Sequence, residues 1–301
     1  MIVVKVIGGL GNQLFQIAFA IALAKQRDNC DIYLDLSTYK NYNVRSFSAN
    51  NLKLANNIKV LTDDVLPPTK SIYYNVSQVT YRVFQRLSKE LGFKYQYGRI
   101  PLKILQKIGL IYNFDTYHYP IQSHAKNLCI YGYFQNENYF KTAKDEIIDA
   151  FTIKSPPTKV EQNYTSQIQS GMSIAVSMRL GDDYIESGDF VISDNSFYVK
   201  ALHTLKQRYP LATVFVFSDD IGKAKEVLKD DTNIVYIENC CDYQSLRLMS
   251  LCDHFVIANS SFSWWGAYLG KNEKKETIAP KKWFTYMGNE NNIYTSAMEK
   301  L

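Results

Sequence analysis

The chain reads as an α/β protein of two lobes with a cleft between them, residues 1–155 and 156–301. Three observations predict this. The first 36 residues run strand, loop, helix, strand. Beyond Ser155-Pro156-Pro157-Thr158, where two prolines exclude helix, short apolar runs alternate with helical patterns. A chain of 301 residues, 46% of them hydrophobic, can also bury two cores of ordinary size.

Taken in order, Ile2 to Ile7 is an apolar run rich in β-branched residues, as in a strand buried on both faces. Gly8-Gly9-Leu10-Gly11 breaks it. Asn12 to Arg27 then places Leu14, Phe15, Ala18, Ile21, Ala22 and Lys25 at helical spacing. Ile32 to Leu34 is the next strand, completing a βαβ opening. From Ser37 to Ala125 periodicity is poor, with short helices around Val79 to Leu91 and Leu102 to Ile108. Alternation then becomes clean: strands at Met172 to Met178, Thr213 to Phe217, Ile234 to Ile237 and Phe255 to Ala258. Helices fall between them at Asn195 to Tyr209, from Asp220 to Lys229, at Tyr243 to Cys252, and from about Phe262 onward. Strands alternating with helices in this way specify a parallel sheet covered on both faces.

Composition excludes several classes. The five cysteines are odd in number and form no C-x-x-C, so reduced thiols are the simpler reading. The four histidines never fall at metal-ligand spacing. No apolar run approaches the length of a membrane-spanning helix, and the expected location is cytoplasmic. Net charge is +5, concentrated between Pro67 and Ile108. There Lys70, Arg82, Arg86, Lys89, Lys94, Arg99, Lys103 and Lys107 face a single acid, Glu90, among seven aromatics. The plain reading is a solvated basic face; the functional one is a patch for anionic lipid or a phosphate-bearing acceptor, at the inner face of a membrane. No nucleic-acid motif accompanies the charge.

In parallel sheets ligands bind beyond the carboxyl ends of the strands, which directs attention to four loops. Gly8-Gly9-Leu10-Gly11-Asn12-Gln13 opens a helix. It could be an ordinary tight turn, or, with Asp35 ending the second strand, a dinucleotide site whose third glycine is Leu14. Asn12, Gln13 and Gln16 suit a sugar better. Ser177-Met178-Arg179-Leu180-Gly181-Asp182-Asp183-Tyr184 puts an arginine at the end of a buried strand. That is costly unless the guanidinium meets an anion or a structural carboxylate partner. Ser218-Asp219-Asp220 reads as a helix N-cap. Asn259-Ser260-Ser261-Phe262 precedes Trp264-Trp265, a polar nest with a rigid apolar backing. No D-x-D occurs, so arginine and helix N-termini must neutralise any leaving diphosphate.

Gly8 to Gln16 (GGLGNQLFQ) resembles the N-terminal signature of the bacterial α-1,2-fucosyltransferases, glycosyltransferase family 11. Leu248-Met249-Ser250 through Asn259-Ser260-Ser261-Phe262-Ser263-Trp264-Trp265-Gly266-Ala267-Tyr268-Leu269 resembles its C-terminal motif. The resemblance implies a GT-B-like fold of two Rossmann-like lobes. It also implies GDP-fucose as donor, bound by the second lobe, with the acceptor on the first, inversion at the anomeric carbon and no metal or other cofactor. The family's arginine motif, His-x-Arg-Arg-Gly-Asp-Tyr, is matched by Arg179. Ser177 replaces its histidine, Leu180 its second arginine, and one extra Asp precedes Tyr184. Ser245 stands where an acid contacting guanine is expected, with Asp242 or Asp219 to compensate.

The resulting scheme has Arg179 and Asn259, Ser260, Ser261 and Phe262 hold the diphosphate. Asp182 or Asp183 polarises the acceptor hydroxyl, with Glu186 as an outsider. Gly9, Asn12, Gln13 and Gln16 hold the acceptor, expected to be a galactose 2-hydroxyl in a surface oligosaccharide or lipid-linked glycan. Rival readings are another GDP-sugar, a glycan-binding protein that has lost catalysis, and an NAD-dependent oxidoreductase using Gly9, Gly11 and Asp35.

Overall fold

Two wholly parallel sheets, one in each half of the chain, carry the fold of this computed structural model. The structure describes residues 1–41, 46–61, 105–114, 116–182, 195–284 and 292–301, with helical positions 76, 79, 80, 82, 83, 86, 87 and 90. The chain divides into two units, Met1–Thr152 and Ile153–Leu301.

In the first unit β1 (Ile2–Lys5), β2 (Ile32–Asp35), β3 (Ile58–Val60), β4 (Leu110–Asn113) and β5 (Leu128–Gly132) are ordered β3-β2-β1-β5-β4. Helix α1 (Leu10–Lys25) is apolar on every side, and accordingly nearly all of it is buried. Phe19 stacks on Phe134 with ring centres 4.3 Å apart. Helix α2 (Lys144–Ala150) closes the unit. Strand β1 stops two residues short of Ile7 because the Gln16 side chain takes both Ile7 backbone groups, accepting from its N–H at 3.0 Å and donating to its C=O at 3.1 Å. The helix starts two residues early, since the Gly9 carbonyl already accepts from the N–H groups of Asn12 and Gln13.

The second unit begins with α3 (Lys159–Ile168), whose capping box joins Thr158 to Glu161. Then follow β6 (Ser173–Met178), α4 (Asn195–Arg208), β7 (Thr213–Ser218), α5 (Ile221–Val227), β8 (Ile234–Tyr236), α6 (Asp242–Met249), β9 (His254–Ile257), α7 (Ser261–Tyr268), β10 (Thr277–Ala279) and β11 (Met298–Lys300). The sheet runs β11-β10-β9-β6-β7-β8, so strand order reverses between β6 and β9. A parallel sheet opens its ligand crevice at such a reversal. Along β6, Ile174, Val176, Met178 and then Leu180 enter one core with Tyr198, Ala201, Leu202 and Leu205 of α4. Ser177, on the opposite face, meets Ser263 of α7 at 2.7 Å. Side chains two apart share a face, which puts Arg179 on the α7 side.

Strands β3, β4, β5, β10 and β11 add to those the sequence pattern predicts. All are three to five residues long, too short for a period to declare itself. All five cysteines are free thiols. Among the described residues no helix is long and apolar enough to cross a membrane.

Candidate functional site

The site of the second unit is built by strand register. Met178 pairs with Ser218 and Ser177 with Ile257, so the residues just beyond β6, β7 and β9 emerge side by side. Arg179 and Asp219 are the next residues on their strands, and their side chains form an ion pair. Asp219 does more than balance charge. Its Oδ1 accepts from Leu180 N–H at 2.8 Å and its Oδ2 from Gly181 N–H at 3.0 Å. The Arg179 N–H donates to the buried Tyr198 hydroxyl at 3.3 Å. The loop is thus moulded around one carboxylate, yet the Arg179 and Asp219 side chains remain 23% and 24% exposed. A bound anion could reach this guanidinium without first ordering it.

Asp219 therefore does not cap the following helix. Asp220 does, accepting from Lys223 N–H at 2.9 Å. Asp182, expected to polarise the acceptor hydroxyl, is 79% exposed and pairs with Lys223 Nζ at 2.8 Å, and the carboxylate that orients Arg179 is Asp219 instead. Asp183, Tyr184 and Glu186 lie outside the described residues.

The α7 end of the site separates into two groups. Ser260 is the N-cap in extended conformation, without a side-chain cap bond, and Ser260, Ser261 and Phe262 are all part-exposed. The first-turn N–H groups of α7 have no carbonyl within the helix to serve, which suits an anion. Asn259 belongs elsewhere. It is fully buried and donates to the Trp283 carbonyl at 2.9 Å, correcting its assignment as a side-chain contact to the donor. Both tryptophans are core residues; Trp264 donates through Nε1 to Ile293 O at 2.8 Å.

The departures at Ser177 and Leu180 are structural. The Ser177 hydroxyl, buried, ties β6 to α7, and Leu180 fills the α4 core. Ser245 is part-buried within α6 and Asp242 is exposed in its first turn. Neither is hydrogen-bonded to the Arg179 loop among the described residues.

In the first unit two residues expected to grip a sugar are committed to the fold. Gln13 is buried; its Nε2 donates to Gly8 O, Ser46 O and the Tyr39 hydroxyl, and its Oε1 accepts from Ser48 and Ala49 N–H. Gln16 is buried and spent on Ile7. Both buried amides are engaged by the fold, Gln16 by the Ile7 backbone and Gln13 by backbone groups and the Tyr39 hydroxyl, which moves them away from the acceptor role expected of them. Gly9 caps α1 in extended conformation, and Asn12 stays part-exposed, accepting from Gln135 Nε2 at 2.9 Å. Asp35 is buried and accepts from Ser37 N–H, far from the exposed pose a ribose contact needs. Sequence reasoning missed Gln135, Tyr198 and Lys223. Gln135 follows β5, a strand too short to flag the loop after it.

The basic stretch is described only in part. Arg82, Arg86 and Lys107 are exposed, whereas Lys70, Lys89, Lys94, Arg99 and Lys103 lie outside the described residues.

Two parallel sheets, each with a strand-order reversal, define a Rossmann-like class, and comparison with solved structures specifies it as GT-B. Fucosyltransferase NodZ from Bradyrhizobium superposes with a TM-score of 0.55 at 15% identity, over 88% of this chain and 92% of that one. NodZ α-1,6-fucosyltransferase soaked with GDP-fucose gives 0.52 at 14%, over 89% and 92%. The model of glycosyl transferase family 11 matches residues 1–295, and the chain belongs to that family. It is a glycosyltransferase, which sets the nicotinamide reading aside. Two Escherichia coli relatives are similar over most of their length. An α-1,2-colitosyltransferase is 29% identical over 297 residues, 94% of this chain and 92% of that protein. The O-antigen biosynthesis glycosyltransferase WbnK is 27% identical over 293 residues, 92% and 93% of the two chains.

Proposed function

We propose that this glycosyltransferase moves L-fucose from GDP-fucose to the 2-hydroxyl of a galactose in a surface oligosaccharide, O-antigen or lipid-linked glycan, with inversion. The observation that carries the reading is the Arg179 guanidinium, held by Asp219 at the end of β6, on the face where the α7 N-terminus ends the neighbouring strand. Together they supply positive charge where a diphosphate leaves. The acceptor oxygen attacks the anomeric carbon from the side opposite the diphosphate. As that bond forms, the carbon–oxygen bond to phosphate breaks and the electron pair goes to GDP. Separation of the leaving group runs ahead of attack, so the phosphate site matters more than a strong base. Asp182 or Asp183 takes the hydroxyl proton. With Arg179 and α7 carrying the leaving charge, the scheme needs no metal.

Thermal stabilisation by GDP, GDP-fucose, GDP-mannose, UDP-galactose and NAD, measured in EDTA, tests the donor. Stabilisation by GDP and GDP-fucose alone supports the reading; none by either removes it. A second reading, another GDP-sugar, draws on the relative named for colitose, and GDP-colitose belongs in the same panel. Binding without turnover would instead mark a glycan-binding protein that has lost catalysis. An acceptor on a lipid carrier would bring the exposed basic residues to a membrane surface.

A further inference from the structure

The amide side chains around the strand ends of the first sheet fall into two sets. Gln13, Gln16 and Asn136 are buried and occupied: Asn136 accepts from Asn138 N–H at 2.9 Å and donates to Thr116 O at 2.7 Å. Asn12 and Gln135 differ. They share one hydrogen bond, Gln135 Nε2 to Asn12 Oδ1 at 2.9 Å, and beyond it neither side chain hydrogen-bonds another described residue. Gln135 is only 8% exposed, yet its carbonyl oxygen, which has no partner among the described residues, stays open to solvent. An oxygen held in that setting is reached by water or by a ligand that displaces it.

Their position favours the ligand. Sheet order reverses between β1 and β5, and these two residues follow those two strands, Asn12 beyond the glycine loop and Gln135 three residues after Gly132. Gly8, at φ +78°, makes the room: a Cβ there would sit 2.6 Å from Asn12 Nδ2. The shared bond also fixes which way each amide faces. With Asn12 Oδ1 accepting and Gln135 Nε2 donating, the Asn12 Nδ2–H₂ group, beside Gly8, and the Gln135 Oε1 are left outside the shared bond.

We infer that Asn12 and Gln135 form one carbohydrate-binding unit, a donor beside an acceptor, that holds a neutral sugar through its hydroxyls. A hydroxyl both gives and takes a hydrogen bond, and vicinal hydroxyls match such a pair at two points. Phosphate and carboxylate do not match, because the Gln135 carbonyl would face their charge. The unit takes the acceptor sugar, an assignment that rests on the transferase reading, whereas sugar binding itself does not. Gln135 thereby replaces Gln13 and Gln16 as Asn12's partner in the acceptor site.

Asn12→Asp keeps an oxygen for Gln135 Nε2 but replaces the remaining donor with an acceptor. With lactose and methyl β-galactoside as probes, it is expected to raise the acceptor KM about tenfold, the loss of one to two hydrogen bonds, with GDP affinity and melting temperature unchanged. Gln135→Ala should raise the same KM. Sugar binding is also read without turnover, by saturation-transfer NMR against a panel of neutral mono- and disaccharides at millimolar concentration. Wild type should show contacts that Asn12→Asp weakens. Equal KM and equal saturation transfer in Asn12→Asp would reduce the pair to a structural brace and overturn the inference, as would a wild type that binds no sugar in the panel. A wild type that binds sugar and loses it in the variant, yet never transfers fucose, supports the inference and defeats the proposed reaction instead.

Discussion

Arg179 and Asp219 stand one residue beyond the paired ends of β6 and β7, and their ion pair is the continuation of that register. Because Asp219 also accepts from Leu180 and Gly181 N–H, it orders the loop as well as the guanidinium. Arg179→Ala is expected to lower kcat by about 10² to 10³, the usual cost of removing one charge-stabilising donor, with little change in melting temperature. Arg179→Lys should recover little, since lysine lacks the planar fork. Asp219→Ala should lower both GDP affinity and thermal stability, because two N–H groups lose their acceptor. Steady-state kinetics and melting curves on the three variants decide it. Full kcat in Arg179→Ala would sink the donor scheme.

Gly266 sets how closely α7 approaches α6. A Cβ at Gly266 would lie 2.0 Å from Met249 Sδ and 2.8 Å from its Cγ. Gly266→Ala forces Met249 to move, and where its side chain finds no other room the helices part and carry the Ser260 turn at the start of α7 with them. The expected cost is about 1–3 kcal/mol of overpacking strain, together with weaker GDP binding. Met249→Ala introduced into the same chain should return both toward wild type. A Gly266→Ala protein with unchanged melting temperature would show that Met249 simply swings aside.

From β6 to α7 the second unit was legible because buried parallel strands are unbroken apolar runs with helices between. Ser173–Met178 and Thr213–Ser218 fall within a residue of their predicted ends. Arg179 was legible for a related reason: a charge ending such a run stands out. Its partner was not. A register between strands 40 residues apart chooses Asp219 over the adjacent Asp182, and local spacing carries no trace of it. The glutamines misled for the opposite reason. Polar residues on an apolar helix suggest a ligand, but Gln16 spends its amide on Ile7, just beyond β1, and Gln13 on Gly8, Tyr39 and the Ser46–Ala49 backbone.

Tyr198 supplies a pH test beside the site. Burial disfavours its phenolate and pushes its pKa up to about 12, from an ordinary value of 10. The folded chain therefore holds this proton more tightly than the unfolded one. Its contribution is fully present below pH 10 and is lost as pH rises from 10 toward 12, on the order of 2 kcal/mol. Tyr198→Phe removes that titration and leaves the Arg179 N–H without its acceptor. Denaturant unfolding should find the variant less stable at pH 8, with the gap to wild type narrowing between pH 10 and 12. A gap constant across that range would show that Tyr198 does not ionise differently in the two states.

Val76, Val79, Val83 and Leu87 recur at i, i+3, i+7 and i+11, which lines one stripe of a helix, and they are 53%, 59%, 51% and 48% exposed. The helical register is supported by Thr80 Oγ1 donating to Val76 O at 2.8 Å and by the Arg86–Glu90 pair at 3.2 Å, each four residues apart. Arg82 and Arg86 are exposed alongside, within a stretch of eight cations and one other charge. An apolar stripe flanked by cations fits the surface of an anionic bilayer, where each cation contributes about 1 kcal/mol at low salt. The chain should cosediment with vesicles containing phosphatidylglycerol and not with phosphatidylcholine alone, and high salt should release it. Val79→Asp with Leu87→Asp should abolish cosedimentation while GDP binding persists, because the stripe and Arg179 belong to different units of the chain. Retention of the double variant on the vesicles would move the contact away from this stripe.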